Sequence, residues 1–341
     1  MNERGSASDS PLAVALGDPA GIGPEIIVEA YLSDAARGHP FFVVGGPDVL
    51  RSAAQERGVD ISIVPIADPG EAAFAFAAGL PVLAGLDAAY TPGAPTASGA
   101  KLALSSLQLA TKFARGGIVS GIVTAPVGKA QLVAIGFDYP GQTEFLADMC
   151  DRPYRDAVMM LAGPSLRTVP LTVHVALNEV SQLLSTDMIA HKARVVASAL
   201  TRDFGIAKPR LAVAGLNPHA GEGGQFGDEE ARIIIPAVYA LADEGIDVTG
   251  PVPGDALFTP RRRQTYDAAL CMYHDQALIP LKALEVDDGV NVTLGLPIVR
   301  TSPDHGTAFD IAGQGLADPG AMIAAIRMAG QCAEMRADAA R

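Results

Sequence analysis

The stretch Tyr266-Asp267-Ala268-Ala269-Leu270-Cys271-Met272-Tyr273-His274-Asp275-Gln276 is an apolar run that ends abruptly in a histidine beside a carboxylate. Its length and content are those of a strand buried inside a parallel sheet. In open α/β sheets, ligands bind just beyond the carboxyl ends of such strands. The sequence therefore predicts that His274 lies at a site of binding or chemistry.

Two further histidines follow apolar runs in the same way. His174 comes after Leu171-Thr172-Val173, and His219 comes after residues 211–216 and Asn217-Pro218. Three neutral imidazoles from three strand ends can hold a divalent cation and leave one coordination position open for substrate. A single strand-end histidine is more often a hydrogen-bonded core or loop residue. Because three of the chain's six histidines share this context, we predict that they bind a metal ion.

The composition is that of an α/β protein without a nucleic-acid or membrane surface. With 341 residues, the chain is long enough for two α/β domains, and 49% of its residues are hydrophobic. The formal net charge of -13 argues against binding to nucleic acid or to anionic membranes. No apolar run approaches the length of a membrane span. An anionic substrate would need a locally basic pocket.

The cysteines and the N-terminus suggest a reducing, cytoplasmic location. Cys150, Cys271 and Cys332 are scattered, without the paired spacing of a disulfide framework or a zinc site. Cys271 lies inside the apolar run and is interpreted as a core residue. Residues 1–10 are polar and lack the apolar segment of a secretory signal.

Strand and helix patterns alternate along the chain. The sequence predicts helices at 47–57, 100–115, 187–204 and 319–337, between strands at 11–16, 41–45, 61–65, 118–123, 157–161, 168–174 and 211–216. Such alternation predicts a parallel sheet with right-handed crossovers. Since there is no linker, we expect the chain to cross into a second domain and return.

Several loops between these elements could bind anions or cofactors. The loop at 17–25 is glycine-rich but has neither a Walker A sequence nor a G-x-G-x-x-G fingerprint, so it predicts only a tight strand-to-helix turn. Residues 140–145 lead into a helix that Thr143 could cap and whose free N–H groups could meet an anion. Lys282, Asn291 and Arg300 recur at nine-residue intervals through a stretch predicted to be rich in β-structure.

Taken together, these motifs resemble the 4-hydroxythreonine-4-phosphate dehydrogenase (PdxA) family. The likeness covers nearly the whole chain in one order: G-D-P-A-G-I-G-P-E at 17–25, T-A-P-V-x-K at 124–129, P-G-x-T-E-F at 140–145, the strand that ends in His174, N-P-H-A-G-E-G-G-x-F-G-x-E-E at 217–230, Y-H-D-Q at 273–276 and D-H-G-T-A-F-D-I-A-G at 304–313. So many matches in one order are highly specific.

The resemblance implies a fold and a set of site residues. The fold would be two α/β/α domains with a cleft between them, similar to isocitrate and isopropylmalate dehydrogenases, with residues 10–130 and 306–341 in one domain and 131–305 in the other. The implied metal ligands are again the three strand-end histidines, supported by the carboxylates of Asp255 and Asp275. The implied substrate-binding residues are Gln142, Thr143, Lys282, Asn291 and Arg300. The implied cofactor-binding residues are Gly221, Gly223, Gly224, Asp304 and His305.

The activity implied by the resemblance is a step of vitamin B6 biosynthesis. NAD or NADP would oxidise 4-phosphooxy-L-threonine, and the product would lose carbon dioxide to give 3-amino-2-oxopropyl phosphate. One divalent ion per site, zinc, magnesium or cobalt, would assist. The family forms homodimers that share residues between subunits at each site.

One position departs from the family pattern and leaves alternatives open. Where the family reads His-Thr-Glu, this chain reads Gln142-Thr143-Glu144. A paralogous dehydrogenase acting on threonate or erythronate 4-phosphate, or on a dihydrodiol, is therefore a first alternative. A non-catalytic, metal-dependent anion-binding protein is a second, although the retained histidines and aspartates argue against it.

Overall fold

The computed structural model describes residues 10–285 and 287–339. The segment 1–9, which carries most of the argument against a secretory signal, lies outside the described residues. The strands are β1 (Leu12–Ala15), β2 (Phe41–Val44), β3 (Ile63–Ile66), β4 (Leu80–Leu83), β5 (Gly121–Thr124), β6 (Val158–Ala162), β7 (Arg167–Pro170), β8 (Arg210–Ala214), β9 (Asp247–Val252), β10 (Ala268–Cys271), β11 (Val290–Leu294) and β12 (Arg300–Pro303).

Helices alternate with these strands over most of the chain. They are α1 (Gly23–Leu32), α2 (Asp34–Arg37), α3 (Pro47–Glu56), α4 (Ala72–Ala75), α5 (Ala97–Arg115), α6 (Lys129–Ala134), α7 (Gln142–Met149), α8 (Val180–Leu183), α9 (Thr186–Phe204), α10 (Ile235–Asp243), α11 (Gly254–Leu257), α12 (Pro260–Arg263), α13 (His274–Leu284) and α14 (Gly320–Ala339). None of the helices in the described ranges has the length and apolar character that crossing a membrane requires.

The chain forms two compact units. The first takes the chain up to Tyr154 and again from Leu296, and the second is Arg155–Gly295. These boundaries differ from the predicted ones, because residues 131–154 and 296–305 belong to the first unit. The pairing explains the difference: β12 runs parallel to β5, and α7 packs on α5.

In the first unit, the strand order is β3-β4-β2-β1-β5-β12, and the neighbouring strands run parallel as predicted. The loops that follow β1, β5 and β12 meet at the carboxyl edge. The Asp18 amide donates to the Pro126 carbonyl at 2.9 Å, and the Ile22 amide donates to the Thr307 carbonyl at 3.0 Å. A Cβ on Gly21 would lie 2.7 Å from that Thr307 oxygen, so glycine is required in this turn.

In the second unit, the strand order is β11-β6-β7-β10-β8-β9. The run from β7 to β9 is parallel, whereas β6 is antiparallel to both β7 and β11. The expectation of a parallel sheet is therefore wrong for β6. The reason is local, because residues 163–166 join β6 to β7 and are too few for the crossover that parallel strands need.

Strand β10, the strand of the opening stretch, lies between β7 and β8. Every residue from Ala268 to Cys271 is buried, as expected for a strand covered on both faces. Burial raises the pKa of the Cys271 thiol, so this cysteine is a neutral core residue.

Two local predictions are wrong. Gly141, rather than Thr143, is the N-cap of α7, and Thr143 is the second residue of the helix without a capping hydrogen bond. Lys282 lies in α13 rather than in a strand, because the α13 helix continues from His274 to Leu284 through Pro280. The strands β4 and β9 have no counterpart in the sequence prediction.

Candidate active site

The three predicted metal ligands follow three neighbouring strands. Strand β10 pairs in parallel with β7 on one side and with β8 on the other. His274, His174 and His219 come within five residues after the carboxyl ends of β10, β7 and β8. Parallel strands end at a common edge, so the second unit delivers three imidazoles to one edge of its sheet.

Two side chains that the sequence argument did not single out join these strand ends. The buried Thr172 hydroxyl donates to the Met272 carbonyl at 2.8 Å and so links the ends of β7 and β10. The Gln276 side chain accepts from the Met272 amide at 2.6 Å and donates to the Gly215 carbonyl at 2.7 Å, which links β10 to β8. Gln276 was visible as the last residue of the Y-H-D-Q motif. Thr172 carried no signal beyond its place in the apolar run.

His174 and His274 lie side by side. Their ring centroids are 5.8 Å apart with an interplanar angle of 41°. This separation is compatible with two imidazole nitrogens that each lie about 2 Å from one ion. The pair lines a cavity of about 310 Å³ with an apolar wall that includes Val175, Leu177 and Val180.

Asp275 orients the His274 ring. The Nδ1 atom of His274 lies 2.7 Å from Oδ1 of Asp275, and a carboxylate partner requires that Nδ1 carry the proton. The Nε2 lone pair then remains available for a ligand. His274 is also the first residue of α13, where the acidic Asp275 is favourable to the helix dipole.

His219 is held in a different environment. Its ring centroid lies 6.0 Å from that of Phe226, and the residue is exposed. Among residues 10–285 and 287–339, no three His, Cys, Asp or Glu side chains converge closely enough to hold a metal ion. The structure thus brings two of the three predicted ligands together and presents the third at the next strand end.

The backbone that carries His219 turns in the left-handed sense. His219, Ala220 and Glu222 have positive φ of 53°, 51° and 40°, and Gly221 and Gly223 have φ of 79° and 67°. A left-handed conformation costs a non-glycine residue about 1–2 kcal/mol. His174 also has a positive φ, 52°. Strain of this kind persists where the surroundings impose it and is concentrated at functional sites.

The glycines predicted to contact a cofactor fall into two groups. Gly221 is buried, and a Cβ there would lie 2.7 Å from the Glu230 carboxylate, so its lack of a side chain serves internal packing. Gly223 and Gly224 are exposed, have positive φ, and face open space. Of these three glycines, Gly223 and Gly224 lie at the surface, where a ligand can approach the backbone.

Three other predicted site residues of the second unit lie on separate elements. Asp255 is exposed in α11, and Lys282 is exposed in α13. Asn291 lies on β11, and its Oδ1 is buried without a hydrogen-bond donor in the described part of the chain. A buried amide oxygen of this kind has the capacity to accept one more hydrogen bond.

In the first unit, Arg300 is the first residue of β12 and is buried. Burial lowers the pKa of its guanidinium to about 10, so Arg300 keeps its charge at neutral pH. Its Nη2 donates to the Thr124 hydroxyl at 2.8 Å and to Gln142 Oε1 at 3.3 Å. Gln142, at the position where the resemblance predicts a histidine, is therefore an acceptor for Arg300. Thr143 follows in the first turn of α7.

Asp304 and His305 directly follow β12 in the first unit, at the edge formed by the loops after β1, β5 and β12. His305 is exposed, and its Nδ1 lies 3.1 Å from the Gly306 carbonyl. The second unit carries the three predicted metal ligands and also Gly221, Gly223 and Gly224. The two sets of predicted cofactor residues therefore belong to different units.

Comparisons with known proteins identify the family of the chain. The family model described as "Pyridoxal phosphate biosynthetic protein PdxA" matches residues 37–329. A protein of Erythrobacter litoralis (strain HTCC2594) named 4-hydroxythreonine-4-phosphate dehydrogenase is 64% identical over 330 residues, which cover 96% of this chain and 98% of that protein. The chain belongs to the PdxA family.

Solved structures of similar proteins have the same fold. The crystal structure of 4-hydroxythreonine-4-phosphate dehydrogenase from Klebsiella pneumoniae has a TM-score of 0.85 and 39% identity, with 98% of this chain and 99% of that chain covered. A terephthalate 1,2-cis-dihydrodiol dehydrogenase from Burkholderia xenovorans LB400 has a TM-score of 0.65 and 33% identity over 94% of this chain and 98% of its own. The predicted α/β fold class is confirmed.

Proposed function

We propose that this protein is an oxidoreductase that converts 4-phosphooxy-L-threonine into 3-amino-2-oxopropyl phosphate. The secondary alcohol would lose a hydride to NAD⁺ or NADP⁺ and a proton to the site, which leaves a β-keto acid. Loss of the carboxylate as carbon dioxide would complete the reaction. In this proposal, the protein acts in the biosynthesis of vitamin B6.

The observation that carries the proposal is the common edge of β7, β10 and β8. In a chain of this family, that edge presents His174, His274 and His219 within five residues of the three strand ends. The close contact of His174 with His274 and the Asp275 partner of His274 support a metal-binding role. A neutral imidazole is a common ligand of divalent metal ions in enzymes. Its other ring nitrogen usually donates to a carboxylate or carbonyl, which fixes the orientation of the ring.

A divalent cation held there would polarise the substrate hydroxyl and the carbonyl formed from it. The protein's own residues would orient the ligands of that cation. Asp275 keeps the His274 ring in one orientation, and Thr172 and Gln276 fix the distance between strand ends. Asp255 is proposed as a further carboxylate of the same site.

Charged and neutral polar side chains are proposed to recognise the phosphorylated substrate. Arg300 and Lys282 would supply positive charge, which a chain of net charge -13 must concentrate locally. Asn291 and Thr143 would add neutral hydrogen bonds. Gln142 would keep the Arg300 guanidinium oriented through the bond at 3.3 Å.

The cofactor and the assembly are part of the same proposal. Gly223 and Gly224 are exposed and are proposed to contact the dinucleotide, and Asp304 and His305 are proposed as further contacts. A homodimer and a cytoplasmic location complete the proposal. Light scattering of the purified protein would test the dimer, and a monomer would contradict it.

Turnover of defined substrates tests the proposal. The purified protein is mixed with a divalent ion, NAD⁺ or NADP⁺ and 4-phosphooxy-L-threonine, and formation of reduced nucleotide and carbon dioxide is followed. Turnover is expected with this compound and not with unphosphorylated 4-hydroxy-L-threonine, which is the matched control. Binding of the phosphorylated compound without turnover would instead support the non-catalytic anion-binding protein.

A second candidate is a dehydrogenase for a related substrate. It is favoured by Gln142 at the position of the family histidine, and by the similarity to a protein named as a dihydrodiol dehydrogenase. Threonate 4-phosphate, erythronate 4-phosphate and a cis-dihydrodiol should be assayed beside 4-phosphooxy-L-threonine. Preference for one of these compounds would replace the primary proposal.

A further inference from the structure

We propose that Glu230 is the positioning residue of His219. The inference rests on the proposed function, because it assigns a role to the residue that holds one of the three proposed ligands. Glu230 is one of the few buried charged residues of the second unit, with 3% of its surface exposed. It lies eleven residues after His219 in the sequence and is not in contact with substrate in this proposal.

The Glu230 carboxylate holds the backbone where it leaves β8. Its Oε1 accepts from the amides of Leu216 and Asn217, both at 2.8 Å. These amides come just after the strand ends at Ala214, at the point where the sheet no longer supplies their acceptors. One carboxylate oxygen therefore fixes the direction in which the chain approaches His219.

The other carboxylate oxygen holds the Asn217 side chain. Asn217 Nδ2 donates to Glu230 Oε2 at 3.0 Å and to Glu229 Oε2 at 2.8 Å. The Asn217 carbonyl in turn accepts from the Ala220 amide at 3.1 Å, which closes the turn around His219. Glu230 can therefore position His219 without touching it, because it holds Asn217 and Asn217 holds the turn that contains His219.

The loop packs around this carboxylate. A Cβ on Gly221 would lie 2.7 Å from Glu230 Oε2, and one on Gly215 would lie 3.3 Å from Oε1. The left-handed run from His219 to Gly223 includes Gly221, the first of these contacts. The loop conformation thus depends on a group of the size and charge of a carboxylate at this position.

A π turn holds Glu230 itself. The turn covers Glu230–Ile234, and the Ile235 amide donates to the Glu230 carbonyl, five residues back. Pro236 follows and has no amide hydrogen for the next helical bond. Single π turns of this kind are frequent at functional sites.

The inference is tested by Glu230→Gln. The new amide can still accept from the two backbone amides, but its NH₂ group faces the NH₂ of Asn217, so one acceptor is lost. Asp228→Asn is the matched control, because Asp228 is an exposed acid of the same segment whose side chain bonds only to Arg232 in the described structure. Asn217→Ala is the second variant if Glu230→Gln fails to fold.

The first measurement needs no substrate. Diethyl pyrocarbonate is reacted with each protein, and the rate of modification of His219 is compared with that of His191 by mass spectrometry. Glu230→Gln is expected to change the His219 rate at least about threefold, whereas Asp228→Asn leaves it unchanged. A His219 rate that stays at the wild-type value in both Glu230→Gln and Asn217→Ala would overturn the inference.

The second measurement separates positioning from a structural role. Turnover is measured for Glu230→Gln in the wild-type and in the His219→Ala background. Glu230→Gln is expected to lower kcat about tenfold in the first and less than twofold in the second, because its effect acts through His219. An equal loss in both backgrounds would show that Glu230 only stabilises the fold. If the wild type turns over no substrate, the proposed function fails, and the modification rates still decide on Glu230.

Discussion

The two ends of the same three strands differ in what their residues do. At the amino ends of β10 and β8, Asp267 accepts from the Arg210 backbone amide at 2.8 Å and from its Nη2 at 2.9 Å. Arg167, at the start of β7, donates to the Asp267 carbonyl at 3.3 Å. At this edge, Arg210 and Asp267 form an ion pair, and Arg167 is bonded to the backbone of Asp267.

At the carboxyl ends, the residues keep capacity for other partners. His174 and His219 have left-handed backbones, and His174, His219 and His274 present imidazoles toward solvent-accessible space. We propose that stability and chemistry are separated along the strands. The amino edge holds the Arg210–Asp267 ion pair, whereas the carboxyl edge carries His174 and His219 on left-handed backbone. Substitutions at the two edges should therefore change different quantities.

The largest effect is expected for His274→Ala. If the carboxyl edge carries the chemistry, kcat/KM for 4-phosphooxy-L-threonine should fall by about a thousandfold, or about 4 kcal/mol in the barrier. The melting temperature should stay close to that of the wild type, because in the described part of the chain the His274 ring is bonded only to the exposed Asp275 carboxylate. His191→Ala, in the same unit, is the control. A large fall in melting temperature with little loss of activity would show that His274 stabilises the fold and does not carry the chemistry.

Asp267→Asn should lower stability and leave activity nearly unchanged. Burial raises the pKa of Asp267, but the hydrogen bonds and charge of Arg210 outweigh it and hold that pKa below its usual value. At pH 7 the substitution should lower the free energy of unfolding by about 2 kcal/mol, as for other hydrogen bonds to charged groups. Turnover should change less than twofold.

The pH dependence follows from the direction of this shift. A carboxyl group whose folded pKa is depressed stabilises the protein above the unfolded pKa of about 3.9, and this contribution is lost as the pH falls through the folded value. Urea unfolding of the wild type and of Asp267→Asn should therefore give curves that differ most near neutrality and converge below about pH 4. A difference that grows on acidification would contradict the assignment.

Arg300→Lys changes a residue at the amino end of a strand that is nevertheless expected to affect activity. Arg300 begins β12 but is proposed to bind phosphate, so the change should raise KM for the phosphorylated substrate about tenfold, or 1.4 kcal/mol, and leave KM for the dinucleotide unchanged. Lysine keeps the charge but cannot donate in the planar geometry of the guanidinium. Equal increases in both KM values would assign Arg300 to another role.

The smallest effect is expected for Gln142→His. Gln142 Oε1 accepts from Arg300, and a neutral imidazole nitrogen can also accept, so turnover of 4-phosphooxy-L-threonine should stay within about tenfold. A protonated imidazole would oppose Arg300, so any loss should be larger at pH 6 than at pH 8. If the wild type is inert and Gln142→His creates the activity, Gln142 is a specificity switch and the paralogue is the better assignment.

Much of the site's framework was predictable because the underlying signal is local. The apolar run before His274 predicted β10, and the runs before His174 and His219 predicted the two strands that pair with it. The pairing order itself could not be read from the sequence, since β7, β10 and β8 are far apart along the chain. The antiparallel β6 was missed because only the length of the turn at 163–166 reveals it.

Other features depend on contacts that no periodicity encodes. Lys282 was assigned to a β-rich stretch because it recurs with Asn291 and Arg300 at nine-residue intervals, yet it lies in α13, which continues past Pro280. Thr143 has a hydroxyl that could cap a helix, but it is Gly141 that has the extended backbone of the cap position. The role of Glu230 appears only when the loop after β8 is folded against it.

The central claim is that the carboxyl ends of β7, β10 and β8 form one metal site, and the most direct test is calorimetric titration of cobalt(II) into chelator-treated protein. We expect one ion per chain. We expect His174→Ala, His219→Ala and His274→Ala each to weaken binding at least about a hundredfold, and Asp267→Asn to bind as the wild type does. If His219→Ala binds the ion as tightly as the wild type, the three strand ends do not form one site.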